Sequence, residues 1–340
     1  MKKLYDVVVL RSLATVMVVA FHAYGMMYWD NFPDTTKEYK DLYYGINQFV
    51  LNFRMPLFVF ISGFLFSYLE QEKHKYPTLK ALFNNKFKRL IIPHIVFAAI
   101  FMLTTEMDFS LKVIISGWCA HLWFIACLFW CFLCTRLSSL IPYSHSITFK
   151  AILLTLSFIA LFISFPKIGF LGIQYFPEWF FWFYLGYTIS PYRNRLYDYI
   201  NNRKYWLLIF IAVYSVELSY TIRFVESEEE RSGFMHFAHL AITLFIWFVT
   251  NWCIKNSSKA WYESTIFNEL NRTSYGIYVL HYWIQTMLVS STIKQLLQMD
   301  VLAKNHVILF PFLFFITTLT ASYIGAKLLL KTKVGRFLIG

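Results

Sequence analysis

Ten stretches of mostly apolar sequence, each about long enough to cross a bilayer, narrow the folds open to this chain more than any motif in it. A spanning helix needs roughly 20 such residues, at ~1.5 Å rise each, to cover ~30 Å of hydrocarbon. The stretches are 7–28, 45–69, 90–105, 121–140, 148–165, 175–191, 205–222, 234–254, 273–293 and 307–330. The third reaches full length when Lys88 and Arg89 extend their stems and keep their charges in the interface. With 58% hydrophobic and 15% charged residues, the chain has too little polar surface for water and suits lipid. The expected fold is an all-α integral membrane protein of about ten transmembrane helices.

The formal charge of +12 raises nucleic acid as a partner, but the basic residues follow a topology instead. With the N-terminus cytoplasmic, twenty-one of the 31 Lys and Arg residues fall in inner segments and eight in outer ones, leaving Arg11 and Arg54 inside the membrane. Acidic residues run the other way: Asp30, Asp34, Glu38, Asp41 and the Glu226 to Glu230 cluster all lie in outer loops. Both termini are therefore expected in the cytoplasm, membrane lipid is the expected surrounding, and no nucleic acid partner is expected.

The start, MKKLYDVVVLRS, does not read as a cleavable signal peptide, because Arg11 interrupts the apolar run and no small-residue cleavage site follows. Connections are short, the longest being 29–44 outside and 70–89 and 255–272 inside, so residues 1–340 read as one membrane domain. No internal repeat is evident. Cys131 and Cys134 have a metal-like spacing without a second pair and read, with Cys127, as an apolar stripe on one helix. The segment Lys73 to Arg89 forms a cationic rim on the inner side, either topological and lipid-facing or suited to a bound polyanion.

Ionisable side chains inside spans are costly and usually face a cavity. Measured at ~1.5 Å per residue from each span's centre, His22 lies about 7 Å to the outer side, Arg54 about 4 Å, Glu217 about 5 Å and His239 about 7 Å. On the same scale Arg11 lies about 10 Å to the inner side and His281 about 3 Å. Arg11 and His22 are eleven residues apart, almost three whole turns, so both project from one face roughly 16 Å apart. A neutral imidazole in the outer half is suited to act as general base towards a hydroxyl; the other reading is a core histidine satisfied by a backbone carbonyl. Arginine stays charged and offers a fork to phosphate or carboxylate, so Arg11 either holds such a group, fixes a neighbouring helix or extends to the inner interface.

Glu217 is placed to pair with Arg54, pair with His22 or accept a sugar hydroxyl. His121 and Trp123 open the fourth span, where an aromatic belt is expected anyway. Tyr275, Tyr278 and His281 recur at three-residue spacing, giving a polar stripe that faces a cavity or bonds a neighbouring helix. His236 and His239 lack an accompanying carboxylate or cysteine, so no metal is expected. Ser62-Gly63 reads as close helix packing, since no nucleophile elbow surrounds it.

Taken in order, Arg11-x10-His22, Met55-Pro-Leu-Phe-Val-Phe-Ile-Ser62-Gly63-Phe-Leu-Phe, Lys88-Arg89-x3-Pro93, His121-Leu-Trp123-Phe and Tyr278-Val-Leu-His281 resemble the acyltransferase-3 family of membrane O-acyltransferases. The second-span segment is most similar to the fucose 4-O-acetylase and intercellular-adhesin-modifying branch, where a His commonly precedes Met-Pro-Leu-Phe; Arg54 stands there in this chain. The resemblance implies transfer of an acyl group, usually acetyl, from cytoplasmic acyl-CoA such as acetyl-CoA to a hydroxyl of a glycan acceptor in a bacterial envelope, at the cytoplasmic (inner) membrane. It also implies that Arg11 and His22 are the essential pair. His22 then takes the hydroxyl proton or carries the acyl group itself, Arg11 holds the donor or the active geometry, and Lys86, Lys88 and Arg89 hold CoA phosphates. Arg54, Glu217, His121, Trp123, Tyr278 and His281 are the expected substrate-binding residues. Two competing classes remain: a transporter or flippase for lipid-linked glycans, which moves substrate without consuming CoA, and a non-catalytic scaffold, which tolerates loss of His22 and Arg11.

Overall fold

The computed structural model describes residues 4–340 apart from 50, 52, 106, 167, 204, 225–227 and 258–259, with backbone alone at 49, 217–218, 220–224 and 228–234. Among the described residues there are helices and no strands. In chain order these are α1 (Tyr5–Tyr28), α2 (Lys37–Phe49), α3 (Arg54–Ser67), α4 (Leu79–Lys86), α5 (Ile92–Thr104), α6 (Leu111–Ser116), α7 (Trp123–Ser138), α8 (Ile147–Ile159) and α9 (Phe176–Ile189). They are followed by α10 (Arg193–Asn202), α11 (Tyr205–Phe224), α12 (Glu228–Asn256), α13 (Thr265–Leu288), α14 (Ser291–Leu296), α15 (Met299–Asn305), α16 (Leu309–Leu329) and α17 (Lys333–Ile339). A π turn, Phe87–Ile91, joins α4 to α5. Helix overlies every one of the ten apolar stretches. Among the described residues, five segments are long and apolar enough to cross a membrane: Tyr5–Tyr28, Leu79–Thr104, Leu111–Ser138, Met235–Asn256 and Leu309–Leu329.

Two expectations from hydropathy need correction. The connection expected at 29–44 is not all loop, because α2 begins inside it at Lys37, and the stretch 45–69 is not one helix, because α2 ends at Phe49 and α3 starts at Arg54. The proline at position 56 accounts for the second start. It has no N–H to donate and is tolerated in a helix's first turn, so a new helix opens just ahead of it. α2 is amphipathic. Tyr39, Tyr43 and Asn47, at i, i+4 and i+8, are buried, while Lys37, Glu38, Asp41 and Leu42 are exposed. Burial pushes the Tyr43 phenol up to about 12, and its hydroxyl donates to the Val307 carbonyl at 2.6 Å.

The chain divides into two compact units. The first comprises residues 1–10, 56–98 and 110–263. Its core is aromatic: Phe66 packs edge-on to Phe132 at 5.0 Å between centroids, and Phe132 edge-on to Phe183 at 4.8 Å. Glycines let α3 and α9 approach backbone to backbone. A Cβ on Gly63 would stand 1.9 Å from the Phe183 carbonyl oxygen, and one on Gly186 2.0 Å from that of Phe60. Just beyond α3, Glu70 accepts from Arg136 Nη1 at 2.6 Å and from the Tyr187 hydroxyl at 2.8 Å, so three segments meet on one carboxylate. His94 is fully buried between the Ile114 and Leu122 carbonyls, each 3.2 Å from a ring nitrogen, which ties α5 to the segment leading into α7.

The second unit comprises residues 11–55, 99–109 and 264–340. Here α13 and α16 lie side by side where Gly276 faces Ala326; a Cβ on Gly276 would be 2.6 Å from the Ala326 Cβ. α1 is held by side chains that reach its backbone carbonyls from other helices: Asn47 of α2 donates to Phe21 at 2.8 Å and Gln285 of α13 to Val19 at 3.2 Å. Near its start, the Ser12 hydroxyl donates to the Phe267 carbonyl at 3.1 Å. Elsewhere in this unit, Lys327 sits 3.1 Å from Glu269 and holds that carboxyl below the usual carboxylate range.

The α3–α9 contact leaves no room for a side chain on either glycine. Gly63→Val is therefore expected to cost about 2 kcal/mol or more and to lower the unfolding midpoint of the purified protein by several degrees, read by intrinsic fluorescence on heating, whereas Ser62→Ala, one residue away, leaves the midpoint within a degree or two.

Candidate active site

The second unit brings His22 and His281 together. The rings lie 5.0 Å apart between centroids, tilted by 59°, with His281 Nε2 3.2 Å from His22 Nδ1. Both sit on helices because their neighbours are apolar and helix-compatible, and both use the i−4 or i−3 carbonyl behind them, as short polar side chains on a helix do. His22 Nδ1 is 3.0 Å from the Val18 carbonyl oxygen. His281 Nδ1 is 2.6 Å from that of Tyr278 and 3.2 Å from that of Ile277.

Those distances assign the protons. Carbonyl oxygens accept, so His281 Nδ1 carries hydrogen and donates to Tyr278, which makes Nε2 of the neutral ring an acceptor. His22 Nδ1 then carries hydrogen as well, shared between Val18 and His281 Nε2. The basic lone pair of His22 is left on Nε2, the nitrogen farther from its own backbone. A histidine with one nitrogen oriented by a second group and the other basic has the organisation of a general base.

Around the pair is a ring of aromatics. Tyr282 lies 5.1 Å from His22 between centroids and stacks on Phe101; Phe21 lies 5.3 Å from His22, edge-on. Trp29, just past the end of α1 and seven residues beyond His22, lies 6.2 Å from its ring and is 39% exposed, so the cluster reaches the surface of its unit at this indole. His281 is wholly buried, and Tyr278 is buried beside it with ring centroids 5.8 Å apart. The Arg54 guanidinium lies over the Phe21 ring, 3.0 Å from its centroid, and its Nη1 donates to the Leu51 carbonyl at 3.2 Å.

Of the residues singled out from sequence, the structure therefore brings His22, His281, Tyr278 and Arg54 into one cluster. Arg11 shares α1 with His22 in this unit and is half-buried, three turns from the cluster. His121, Trp123, Lys86, Lys88 and Arg89 belong to the first unit. There His121 is buried in the turn Ala120–Leu122, and Trp123 packs, tilted, against Tyr175 at 4.8 Å and against Trp179 at 5.4 Å between ring centroids. Lys86 turns its ammonium over the Phe132 ring, 3.4 Å from the centroid, while Lys88 and Arg89 in the following π turn are exposed. Glu217 lies outside the described residues. Among the described residues no group of three or more His, Cys, Asp or Glu side chains is arranged to hold a metal ion.

Residues of the cluster and its surround that escaped sequence reasoning include Phe21, Trp29, Tyr282 and Gln285, the last through its bond to the Val19 carbonyl. Trp29 carried a signal, since it is seven residues from His22 and thus on the same face. Gln285 carried one too, being four residues beyond His281. Phe21 and Tyr282 look in sequence like any other apolar-helix aromatics.

Neither a curated protein nor a solved structure matches this chain. The family model described as an acyltransferase domain matches residues 4–327, a span that takes in the histidine pair, Arg11, Arg54 and the basic segment before α5. With nearly its whole length matched and with apolar helices long enough to cross a bilayer, the chain is a membrane acyltransferase that belongs to the acyltransferase-3 family.

Proposed function

We propose that this protein is an O-acyltransferase that moves an acyl group, acetyl in the simplest case, from cytoplasmic acyl-CoA to a hydroxyl of a cell-envelope or exported glycan. On this reading it resides in a bacterial cytoplasmic membrane, crosses it about ten times and keeps both termini inside. The observation that carries the reading is the His22–His281 contact, which orients a basic imidazole nitrogen within an aromatic cluster of an acyltransferase-family chain.

In the proposed reaction His22 Nε2 takes the proton of the acceptor hydroxyl as its oxygen attacks the thioester carbonyl. The C–O bond forms, the C–S bond breaks, and the proton passes from the imidazolium to the departing CoA sulfur, giving ester and free thiol. His281 is a positioning residue. Its Nε2 accepts from His22 Nδ1 and stabilises the imidazolium that forms, while its own Nδ1–H on the Tyr278 carbonyl keeps the ring from turning. The aromatic surround suits a pyranose, whose C–H faces pack on rings, and Trp29 and Tyr282 are the proposed contacts. Arg11 is assigned to the donor on the inner side of α1, and Lys88 and Arg89 to CoA phosphates. Lys86, with its charge over Phe132, is assigned to bracing the segment that carries them.

Incubation of purified protein with radiolabelled acetyl-CoA and an oligosaccharide acceptor tests the reading. His22→Ala is expected to lower ester formation and CoA release about 10²- to 10⁴-fold at unchanged protein level in the membrane. Normal acylation by that variant would remove His22 from the chemistry, and glycan flux without CoA release would move the protein to the transporter class.

His281 is tested separately. His281→Ala is expected to lower kcat about 100-fold with little change in the KM for acyl-CoA, whereas His281→Gln, which can present a carbonyl oxygen near the lost Nε2, recovers at least a tenth of wild-type kcat. Equal losses in both variants, with matching drops in folded protein, would reduce His281 to a packing residue.

A further inference from the structure

We infer that Arg54 is the recognition group for a carboxylate that one of the two reacting partners brings to His22, an assignment that builds on the acyl-transfer reading above. Arg54 is 8% exposed. Its Nη1 is committed to the Leu51 carbonyl, and among the described residues its Nε has no hydrogen-bond partner and the guanidinium forms no ion pair. A buried guanidinium in this condition keeps its charge and its donors, and what it selects is an oxyanion that accepts two parallel hydrogen bonds. Stacking on Phe21 fixes the plane of the fork and leaves its edge to do the binding.

The position of the fork sets the reach. Arg54 Cζ is 3.0 Å from the Phe21 centroid, which is 5.3 Å from that of His22, so the guanidinium carbon lies within about 8 Å of the imidazole. A carboxylate carbon sits about 4 Å from the guanidinium carbon that binds it, and the two carboxyl carbons of a four-carbon dicarboxylic acid are about 4 Å apart when extended. A dicarboxylic acyl group gripped by Arg54 therefore places its thioester carbon at His22. An acidic sugar carrying its carboxylate one ring atom from the acceptor hydroxyl meets the same constraint. Phosphate fits less well: among the described residues the groups that interact electrostatically with Arg54 include Tyr28, Tyr278 and His281, and no lysine or second arginine.

The two sources of the carboxylate separate in one set of assays on the purified full chain. Turnover is measured with acetyl-CoA and succinyl-CoA on a glucose-containing oligosaccharide, and with acetyl-CoA on its glucuronate-containing counterpart, for wild type, Arg54→Gln and Arg54→Lys. We expect Arg54→Gln to lower kcat/KM at least 10-fold more for one carboxylate-bearing partner than for its neutral counterpart, with Arg54→Lys, which keeps the charge and loses the fork, in between. The arm that responds names the source. Free succinate, but not neutral succinamide, is expected to raise the unfolding midpoint of wild type and of His22→Ala, and not that of Arg54→Gln. Equal loss for charged and neutral partners, or equal protection of Arg54→Gln and wild type by succinate, overturns the assignment. An active His22→Ala would instead sink the general-base reading, and the succinate comparison would still judge Arg54.

Discussion

Hydrogen bonds that find no water must find each other, and this constraint organises the second unit. The backbone of α1 satisfies itself as helix, yet its carbonyls keep a second lone pair each. Three of them near the site are taken: Val18 by His22, Val19 by Gln285 and Phe21 by Asn47. The donors come from α1 itself, α13 and α2. A polar side chain that would be expensive alone in hydrocarbon becomes inexpensive when its partner is a carbonyl already in place, so the helix that bears the proposed base is also the one on which its neighbours converge.

The same logic separates the two histidines' roles. In water an imidazole exchanges tautomers freely, but here the carbonyls behind His281 fix a proton on its Nδ1, and that choice passes through Nε2 to His22. A neutral histidine is a weaker orienter than a carboxylate would be. It carries no negative charge that would pair with the nearby Arg54 and occupy its fork.

Much of the fold was legible as hydropathy, because the length of an apolar run is a direct consequence of bilayer thickness. What hydropathy missed was α2: Lys37, Glu38, Lys40 and Asp41 look like loop, and the buried series Tyr39, Tyr43 and Asn47 shows itself once the period of four is read through them. The site was half legible. Helical geometry placed Arg11 and His22 on one face, and cost in the membrane flagged His281 and Arg54. The meeting of His22 with His281 could not be read, since they are 259 positions apart and nothing in a periodic pattern encodes which distant helix comes to lie alongside. The basic rim was legible as charge, while the inward turn of Lys86 over Phe132 depends on an aromatic core assembled from remote segments.

The lateral bonds onto α1 also bear on how such a protein can change. Rotating or sliding α1 would break contacts with α2 and α13 together, so His22 is in effect a fixed post to which substrates must come. Drift in what the enzyme accepts is then channelled to side chains that leave those carbonyls alone. Arg54 is one: among the described residues it grips Leu51 and Phe21's ring but none of the α1 carbonyls, so a lineage could exchange it for another residue without disturbing the register of the helix that bears the proposed base.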